Sequence, residues 1–574
     1  MNPRTRLAAI AAAALAAAPA AAQAPRTEGP ATFAPRPTTG DVTAQDLRTR
    51  IYGLAADSMR GREAGTRGGV MATDYIAAEA RRMGLQPGGD NGTFFQEVPL
   101  VQHGVDPSAQ LVADGATFAF GTDFLLVPTY GGVLRFADRF QANGVQVVYG
   151  GRVGDEARMI SPEAAAGKLV VFAAPLGPDG QPASQFYAGG RTYERYADAA
   201  GVAFATLDYT PPGMAGFFRE PRTELAGAPA APDPRRFPPG LIITTAVAAR
   251  LLGTPLASAQ VGAAGRTVSG SAAFFERPIE FPARNVVAIL PGSDPALRGQ
   301  YVAIGSHNDH VGVTSEAVDH DSLLAFNRIL RPEGLEQPPA EWTDENRAAF
   351  RAELARARAE GPARLDSVFN GADDDASGTA GMLELAQYFA AQRTRPRRSL
   401  LFVWHTAEEM GLYGSEYFTD HPSVPLDSIV AQLNIDMIGR GGVGDLPNGG
   451  PAYLELVGSR RLSTQLGDLV EEVNRERGFG FSFDYGMDAD GHPMNIYCRS
   501  DHWNYARFGI PVTFFTSGGH SDYHMLTDEP QYIEYDKMVR VVRLIGSVAE
   551  EVANRDARLV VDKPKPQPGA ECRQ

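Results

Sequence analysis

The chain has 574 residues, which predicts two or three domains, and its 44% hydrophobic and 21% charged residues are ordinary for a globular protein. The formal net charge of −15 argues against binding to a nucleic-acid backbone, because that function needs a basic face. Two cysteines, Cys498 and Cys572, exclude a disulfide-rich scaffold and a thiolate metal site of the CxxC type, and the sequence leaves open whether they pair.

The first 22 residues have the pattern of a secretory signal peptide. Arg4 and Arg6 precede an apolar stretch over residues 7–22 that ends in small residues, and cleavage after Ala22 fits this pattern. A membrane anchor is the alternative, but the apolar stretch is short for a bilayer span. We therefore expect a secreted or periplasmic protein without a membrane anchor.

The rest of the chain divides by composition. Residues 23–45 are rich in Pro, Ala and Thr, as in a flexible leader, and residues 46–130 combine a helical period with short strands. Residues 131–265 contain β-branched strands separated by Gly and Pro turns, which predicts a small inserted β-rich domain. Residues 266–556 are expected to form most of a catalytic domain, and residues 557–574 a loosely ordered tail.

From about residue 283 onward, strands and helices alternate. Apolar strands such as QYVAIGSH, SLLFVWHT and SIVAQLNID are separated by helical segments such as GTAGMLELAQYFAAQ. This alternation predicts an α/β fold, with a mixed, mostly parallel β-sheet and helices on both faces. A charged, Ala- and Arg-rich insert at residues 313–366 interrupts the pattern, and we expect a solvent-exposed helix there.

Metal-competent side chains follow three of the apolar strands, where ligands bind in folds of this class. His307 ends one strand, and Asp309 is placed to hydrogen-bond the ring of His307. Glu408 and Glu409 follow a second strand, LLFVWHT. Asp436 stands alone in the apolar segment LNIDMIG, where a buried carboxylate needs a partner, either a metal or an arginine.

Two further clusters carry carboxylates and histidines. Asp373, Asp374 and Asp375 precede a helix that needs only one capping carboxylate, so a cation is expected to offset their repulsion. The segment GGHSDYHMLTDEP supplies His524 as a candidate ligand and Asp528 as a residue to orient it. Mixed histidine and carboxylate ligands suit zinc, and five of them exceed one ion, so a carboxylate bridging two ions is predicted.

These motifs resemble those of the M28 family of zinc aminopeptidases, of the secreted bacterial type. The resemblance is carried, in order, by GSHNDHVG, GADDDASG, AEEMGLYGS, NIDMIG, SDHWNYARFGIP and YHMLTD. It covers roughly residues 45–125 and 270–555. It implies a zinc-peptidase, phosphorylase/hydrolase-like fold, two Zn²⁺ ions and peptide substrates. The β-rich segment 131–265 in turn resembles the protease-associated (PA) domain inserted in many relatives.

The resemblance also implies the metal ligands. These are His307, Asp374, Glu409, Asp436 and His524. Asp374 would bridge the two ions and precede a cis peptide bond, with His307 and Asp436 on one ion and Glu409 and His524 on the other.

Catalytic and supporting roles follow from the same motifs. Glu408 is implied as the general base, and Tyr523 as a donor to the tetrahedral intermediate. Asp309 and Asp528 would support the ligands from behind. Asp501 and His502, in SDHW, also match the family, and we expect structural roles for them.

From the resemblance we expect a secreted di-zinc aminopeptidase that removes N-terminal residues with a metal-bridged water and Glu408 as base. A carboxypeptidase or dipeptidase acting on C-terminal acidic residues is the first alternative, with Arg499 as a candidate clamp. A glutaminyl cyclase and a non-catalytic receptor-like protein are less favoured, because all five ligands and Glu408 are present. A monomer or homodimer is expected, without a nucleic-acid partner, and the preferred substrate residue is left open.

Overall fold

The computed structural model describes residues 28–127, 136–178, 180–184, 190–227, 237–332, 334, 338–359, 363–446, 448–567 and 572–574. The predicted signal peptide lies outside these residues. Within them, no helix is both long enough and apolar enough to cross a membrane. The chain divides into two units, the first formed by Met1–Glu97 with Ala283–Gln574 and the second by Val98–Pro282.

The first unit begins with two helices and two short strands, α1 (Ala44–Leu54), α2 (Arg67–Arg82), β1 (Gln86–Pro87) and β2 (Phe95–Val98). Each helix starts at a threonine whose hydroxyl accepts a hydrogen bond from a backbone N–H of the first turn, Thr43 for α1 and Thr66 for α2. These caps satisfy N–H groups that the helices leave without an internal partner.

The second unit is built on a mixed sheet. Its elements are β3 (Leu100–Val105), β4 (Gln110–Ala113), β5 (Ala116–Ala119), β6 (Phe124–Val127), β7 (Arg139–Arg152), α3 (Pro162–Ala165), β8 (Leu169–Ala173), β9 (Gly201–Ala205), α4 (Pro212–Arg219), β10 (Arg222–Leu225), β11 (Gly240–Ile243), α5 (Thr245–Leu252) and β12 (Ala264–Pro278). The strand order is β10-β3-β12-β7-β8-β9-β11-β6, and β4 pairs with both β12 and β5. Alternate residues of β8 enter two hydrophobic clusters, Leu169 and Val171 in one and Val170 and Phe172 in the other.

The second unit is longer than the inserted domain expected at residues 131–265, since it runs from Val98 to Pro282. Its extra strands pair inside the unit: β3 with β12, and β6 with β11. These partners are more than one hundred residues apart, so the local pattern that identifies each strand does not tell which sheet it joins. The resemblance of this unit to a PA domain stays a prediction.

The first unit then resumes with its large sheet and most of its helices. These are β13 (Ala283–Leu290), β14 (Tyr301–His307), β15 (Val313–Asp319), α6 (His320–Leu330), α7 (Asp344–Ala359), β16 (Leu365–Val368), α8 (Ala376–Ala391), β17 (Ser399–His405), α9 (Tyr413–Asp420), β18 (Ile429–Ile435), β19 (Tyr453–Val457), α10 (Thr464–Glu476), β20 (Ser482–Asp484), α11 (His502–Ala506), β21 (Val512–Thr516) and α12 (Tyr535–Asn554). The strand order is β1-β13-β17-β14-β18-β21-β19-β20, with β2 beside β13.

This sheet is mixed, and its centre is parallel. Strand β14 runs parallel to β17 and to β18, and β18 parallel to β21, whereas β13 and β19 run antiparallel to their neighbours β17 and β21. Alternate residues of β17 face opposite sides: Phe402 and Trp404 join the cluster containing α8 and α12, and Leu401 and Val403 join the one containing α9 and α11. The predicted α/β fold with helices on both faces is confirmed.

The insert at residues 313–366 has a structure of its own. Strands β15 and β16 pair antiparallel, and α6 and α7 lie between them in sequence. Helix α7 has no buried residue among its described positions, as its charge spacing predicts. Asn327 of α6 donates to the hydroxyl of Thr527 at 3.2 Å, so the insert contacts the loop that carries His524.

Candidate active site

The central parallel strands bring their chemical side chains to one edge of the sheet. His307 is the last residue of β14, Glu408 and Glu409 lie just beyond β17, and Asp436 directly follows β18. The three strands are neighbours, and the carboxyl ends of parallel strands meet at the same edge. The local sequence pattern is therefore enough to predict that these side chains lie close together.

One group of possible metal ligands consists of His307, Asp374 and Asp436, and all three are buried. Nε2 of His307 lies 3.1 Å from Oδ1 of Asp374 and 3.6 Å from Oδ1 of Asp436. The other oxygen of Asp436 accepts a hydrogen bond from the Ser500 hydroxyl at 2.7 Å. The neighbours of Asp436 in these contacts are thus a histidine and a serine. They differ from the arginine partner that the sequence left open as an alternative.

A second group shares Asp374 and adds Glu409, His524 and His310. Nε2 of His524 lies 2.8 Å from Oε2 of Glu409 and 3.0 Å from Oδ2 of Asp374. The two oxygens of Asp374 therefore face different histidines, His307 on one side and His524 on the other. This is the arrangement expected of a carboxylate that bridges two ions.

His310 belongs to the second group, although it is not among the metal ligands predicted from the sequence. Its Nδ1 lies 2.7 Å from Oε1 of Glu409 and 3.6 Å from Oδ2 of Asp374, and the side chain is fully buried. The signal was present in the motif HNDH, three residues beyond His307. Whether its ring turns toward the ligands depends on the backbone after β14, which the sequence pattern does not specify.

The three consecutive aspartates have separate partners. Asp373 accepts a hydrogen bond from the backbone N–H of Gly439 at 2.6 Å, and Asp374 faces the histidines. Asp375 caps α8 by accepting from Gly378 N–H at 2.8 Å, and it also accepts from the N–H of Met437 at 3.1 Å. The peptide bond between Asp374 and Asp375 is cis.

Asp528 supports the bridging carboxylate by a route that differs from the expected one. Its carboxylate accepts from the backbone N–H groups of Asp373 and Asp374, at 3.0 and 3.1 Å, whereas its sequence position predicts that it orients His524. Asp309 also differs in detail. Its backbone carbonyl lies 3.1 Å from Nδ1 of His307, and its carboxylate accepts from the N–H of Glu408 at 3.2 Å.

Arg62, for which the sequence pattern predicts no role, holds the loop before α8 in place. Its guanidinium is buried and donates to the carbonyl oxygens of Asn370 at 2.6 Å, Gly371 at 2.8 Å and Asp374 at 3.3 Å. It also donates to the carbonyl of Leu54 at 3.0 Å. The segment SMRGREAG thus ties the first helices to the backbone of the bridging aspartate.

The charges of the site favour a positive ion at its centre. Against the effect of burial, Glu409 and Asp374 raise the pKa of His524 to about 11. Burial by itself would raise the pKa of Asp374. Hydrogen bonds from His307 and His524 outweigh burial and hold this pKa well below its usual range. Two sets of carboxylates and histidine nitrogens that share the Asp374 carboxylate fit divalent zinc. The positive charge of zinc would offset the mutual repulsion of the carboxylates.

Residues 285–549 match the sequence model of peptidase family M28. This segment belongs to that family. Its bounds contain every residue of the two ligand groups described above.

Individual relatives of the M28 domain match over parts of their length. Leupeptin-inactivating enzyme 1 of Streptomyces exfoliatus is 33% identical over 157 residues, which are 27% of this chain and 31% of that protein. Leucine aminopeptidase 1 of Coccidioides posadasii (strain C735) is 30% identical over 194 residues, 32% of this chain and 47% of that protein. The chain thus spans less than half of the length of these curated relatives. Among solved structures, the aminopeptidase from Aneurinibacillus sp. strain AM-1 is 18% identical with a TM-score of 0.46, over 92% of this chain and 97% of that chain.

Glu408 of the M28 domain shares a cavity with the first ligand group. Its carboxyl lines a cavity of about 350 Å³ together with His307, Asp374 and Asp436. Burial first, and then the neighbouring carboxylates Glu409 and Asp436, raise the pKa of Glu408 well above its ordinary value, with His307 opposing them. A carboxyl with a raised pKa can accept and return a proton near neutral pH.

Tyr523 lines the same cavity of the M28 domain as His524. The Tyr523 and His524 rings stack with their centroids 4.0 Å apart. Burial first, and then Asp374 and Glu409, raise the pKa of the Tyr523 hydroxyl well above its ordinary value. The hydroxyl therefore keeps its proton and remains a hydrogen-bond donor.

Asp501 and His502 lie behind the site. The carboxylate of Asp501 is 3.3 Å from Nδ1 of the buried His405. The ring of His502 stacks on Phe514 at 5.0 Å and meets Tyr497 edge-on, and burial lowers its pKa to about 3. These packing contacts agree with the expected structural roles.

The cysteines form a disulfide, Cys498–Cys572, with their Cα atoms 5.7 Å apart. Beside it, the backbone N–H of Gln574 donates to Asn495 at 3.0 Å, and the Gln574 side-chain oxygen accepts from Tyr497 N–H at 3.1 Å. Residues 572–574 therefore hold the segment that precedes Ser500, the partner of Asp436.

A third group, His320, Asp366 and Glu529, also has metal-competent atoms close together. Arg364 enters this group, with its guanidinium 2.8 Å from one oxygen of Glu529 and 2.6 Å from Nε2 of His320. A fixed guanidinium charge disfavours a second cation at this position. The group instead joins the insert to the loop that carries Asp528.

Proposed function

We propose that the protein is a di-zinc aminopeptidase that hydrolyses the N-terminal peptide bond of its substrates. The observation that carries the proposal is the geometry of Asp374, whose two oxygens face two separate sets of ligands beside the carboxyl of Glu408. One set would hold an ion through His307 and Asp436, and the other through Glu409 and His524. The names of the relatives, leucine aminopeptidase 1 among them, point in the same direction.

When bound, the two ions would supply Lewis acidity toward water and toward the peptide carbonyl. Glu408 would accept the proton of the attacking water and deliver it to the leaving amine. The Tyr523 hydroxyl would donate a hydrogen bond to the oxygen on which negative charge develops. Asp528 and Arg62 would keep the backbone of Asp374 fixed during this sequence, from its N–H side and its carbonyl side.

The competing function is a carboxypeptidase or dipeptidase that grips a substrate carboxylate, and Arg499 is the observation that favours it. Among the described residues, Arg499 is the arginine that lines the cavity. A clamp for an acidic C-terminal residue normally needs a bidentate arginine or more than one cation. The acidic surroundings of the ligands instead favour a substrate with a free amine.

A panel of reporters tests the proposal. Purified full-length protein loaded with zinc is offered aminoacyl reporters, the same reporters with a blocked amine, and dipeptides with a C-terminal acidic residue. We expect cleavage of the free-amine reporters only, with metal analysis giving close to two zinc ions per chain. Preferential cleavage of blocked or C-terminal acidic substrates would refute the aminopeptidase proposal, and a single tightly bound ion would refute the di-zinc site.

We also propose that the protein is exported and that the mature chain begins at Gln23. The apolar N-terminal pattern supports export, and the disulfide suits an oxidising compartment. N-terminal sequencing of protein recovered from outside the cytoplasm tests this proposal. Recovery of the unprocessed chain only from the cytoplasm would contradict it.

A further inference from the structure

The cavity beside the ligands has an apolar wall of its own. Its described apolar side chains are Met437, Leu446, Met487, Met494, Ile496 and Phe514. An acidic residue, Glu455, stands among them. It belongs to neither ligand group, and the proposed mechanism does not use it.

Glu455 is buried and poorly satisfied. The residue is 2% exposed, and its Oε1 has no hydrogen-bond partner in the described part of the chain. Its Oε2 is 3.4 Å from the Tyr453 hydroxyl, which is long for a hydrogen bond. A buried carboxyl group with one oxygen unpartnered is costly, so a protein that keeps one in a cavity wall is expected to use it.

The charges that act on Glu455 are of the wrong sign to neutralise it. Burial, followed by the carboxylates of Asp484 and Asp488, raises the pKa of Glu455 to about 8. Asp484 lies opposite Glu455 in the pairing of β19 with β20. A positive group entering the cavity would therefore be attracted to these carboxylates and would favour the ionised form of Glu455.

The sheet sets the distance between Glu455 and the metal ligands. Glu455 is opposite Thr516 in the pairing of β19 with β21, and Asp436 follows Ile435, which is opposite Phe515 in the pairing of β18 with β21. One strand thus separates Glu455 from Asp436, so two strand spacings give about 10 Å between their backbones. A lysine stem of about 6 Å, with C–C bonds of about 1.5 Å, fits between a peptide bond held at the ligands and this carboxyl.

Gly518 leaves space beside the carboxyl. It adopts a positive φ of 79°, and a Cβ at this position would lie 3.2 Å from Oε2 of Glu455. Gly518 and Gly519 both line the cavity. A larger residue at position 518 would therefore crowd the Glu455 carboxyl from the side of this loop.

We propose that Glu455 selects the N-terminal residue of the substrate, which is a basic residue, lysine or arginine. The aliphatic stem of that residue lies along the apolar wall, and its charged head pairs with the Glu455 carboxylate. The inference rests on the proposed aminopeptidase function, since it requires the first residue of a peptide to occupy this cavity.

Substrate pairs that differ only in charge test the assignment. Zinc-loaded wild-type protein is assayed with lysyl and norleucyl reporters, and with arginyl and citrullyl reporters. We expect kcat/KM to be roughly 10- to 100-fold higher for the basic member of each pair, the selectivity of a buried hydrogen bond to a charged group. The Glu455→Gln variant should bring the lysyl-to-norleucyl ratio close to one.

Asp484→Asn is the matched control, because it removes a carboxylate near Glu455 that does not line the cavity. It should retain the preference, since its loss leaves Glu455 more readily ionised. A wild-type enzyme that cleaves norleucyl reporters as well as lysyl ones would overturn the inference while leaving the aminopeptidase function intact. So would a lysyl preference that survives Glu455→Gln. Cleavage of blocked reporters alone would instead overturn the function on which the inference rests.

A binding measurement gives an independent readout. Calorimetric titration of the zinc-loaded protein with free L-lysine and free L-norleucine should show tighter binding of lysine, and Glu455→Gln should remove the difference. Thermal unfolding of the variant confirms that it is folded. If the variant does not fold, the wild-type comparison of the matched reporters still decides the question.

Discussion

Arg62 gives the sharpest test of how the loop before α8 is held. We consider Arg62→Met, which keeps the length of the side chain and removes the donors. Three of the lost contacts are to the carbonyl oxygens of Asn370, Gly371 and Leu54, at 2.6, 2.8 and 3.0 Å. The arginine is 1% exposed, so water does not readily replace it.

The expected loss follows from these three contacts. Hydrogen bonds from a charged donor contribute about 1.5 kcal/mol each at the low end of their range, which gives roughly 4 to 5 kcal/mol in all. Removing a buried charge returns part of its desolvation cost, since burial also lowers the pKa of Arg62. We therefore expect the free energy of unfolding to fall by about 3 kcal/mol or more, a large share of the roughly 5 to 15 kcal/mol typical of a domain.

Chemical denaturation followed by circular dichroism, with and without zinc, measures this loss. Arg60→Met is the control, because Arg60 lies in the same turn and is exposed. The control should unfold like the wild type. If Arg62→Met also unfolds within about 1 kcal/mol of the wild type, less than a single typical charged hydrogen bond, then Arg62 does not hold the loop as described.

Other variants address the remaining parts of the site. Glu408→Gln should retain zinc and lower kcat by roughly 10²- to 10⁴-fold, the usual contribution of a general base. The control Glu416→Gln, outside the cavity, should be active. An active Glu408→Gln enzyme would contradict the assigned role. His310→Ala should weaken the binding of one ion by roughly 10- to 100-fold in competition with a chelating dye, because it removes the partner of Glu409, and unchanged affinity would show that the contact is dispensable. Glu455→Gln should change how stability depends on pH: the pKa of Glu455 is raised from its ordinary 4.5 to about 8, so the wild type loses stability as pH rises across this range. The melting temperature of the variant relative to that of the wild type should therefore rise between pH 5 and pH 9. Parallel plots of melting temperature against pH for the two proteins would contradict the raised pKa.

The fold class and the edge of the sheet that carries the site were predictable from local patterns. Apolar runs end at His307 and just before Glu408 and Asp436, and parallel strands necessarily bring such ends together. The mixed sheet follows from the alternation of strands and helices. None of these inferences depends on contacts between residues that are distant in the sequence.

The parts that the sequence did not predict depend on contacts between distant segments. Arg62 meets the backbone of residues 370–374 from more than three hundred positions away, and nothing in its own surroundings distinguishes it from an exposed arginine. Glu455 reads as an ordinary strand residue until the cavity beside it is known. The boundary at Val98 was missed for the same reason, because short strands do not show which sheet they will join.

The disulfide between Cys498 and Cys572 links the wall of the cavity to the order in which the chain is made. Met494 and Ile496 lie in the segment that residues 572–574 brace, so this support is synthesised after all the proposed metal ligands. Disulfides form and persist in oxidising surroundings. We therefore expect reduction of Cys498–Cys572 to loosen the part of the wall formed by Met494 and Ile496.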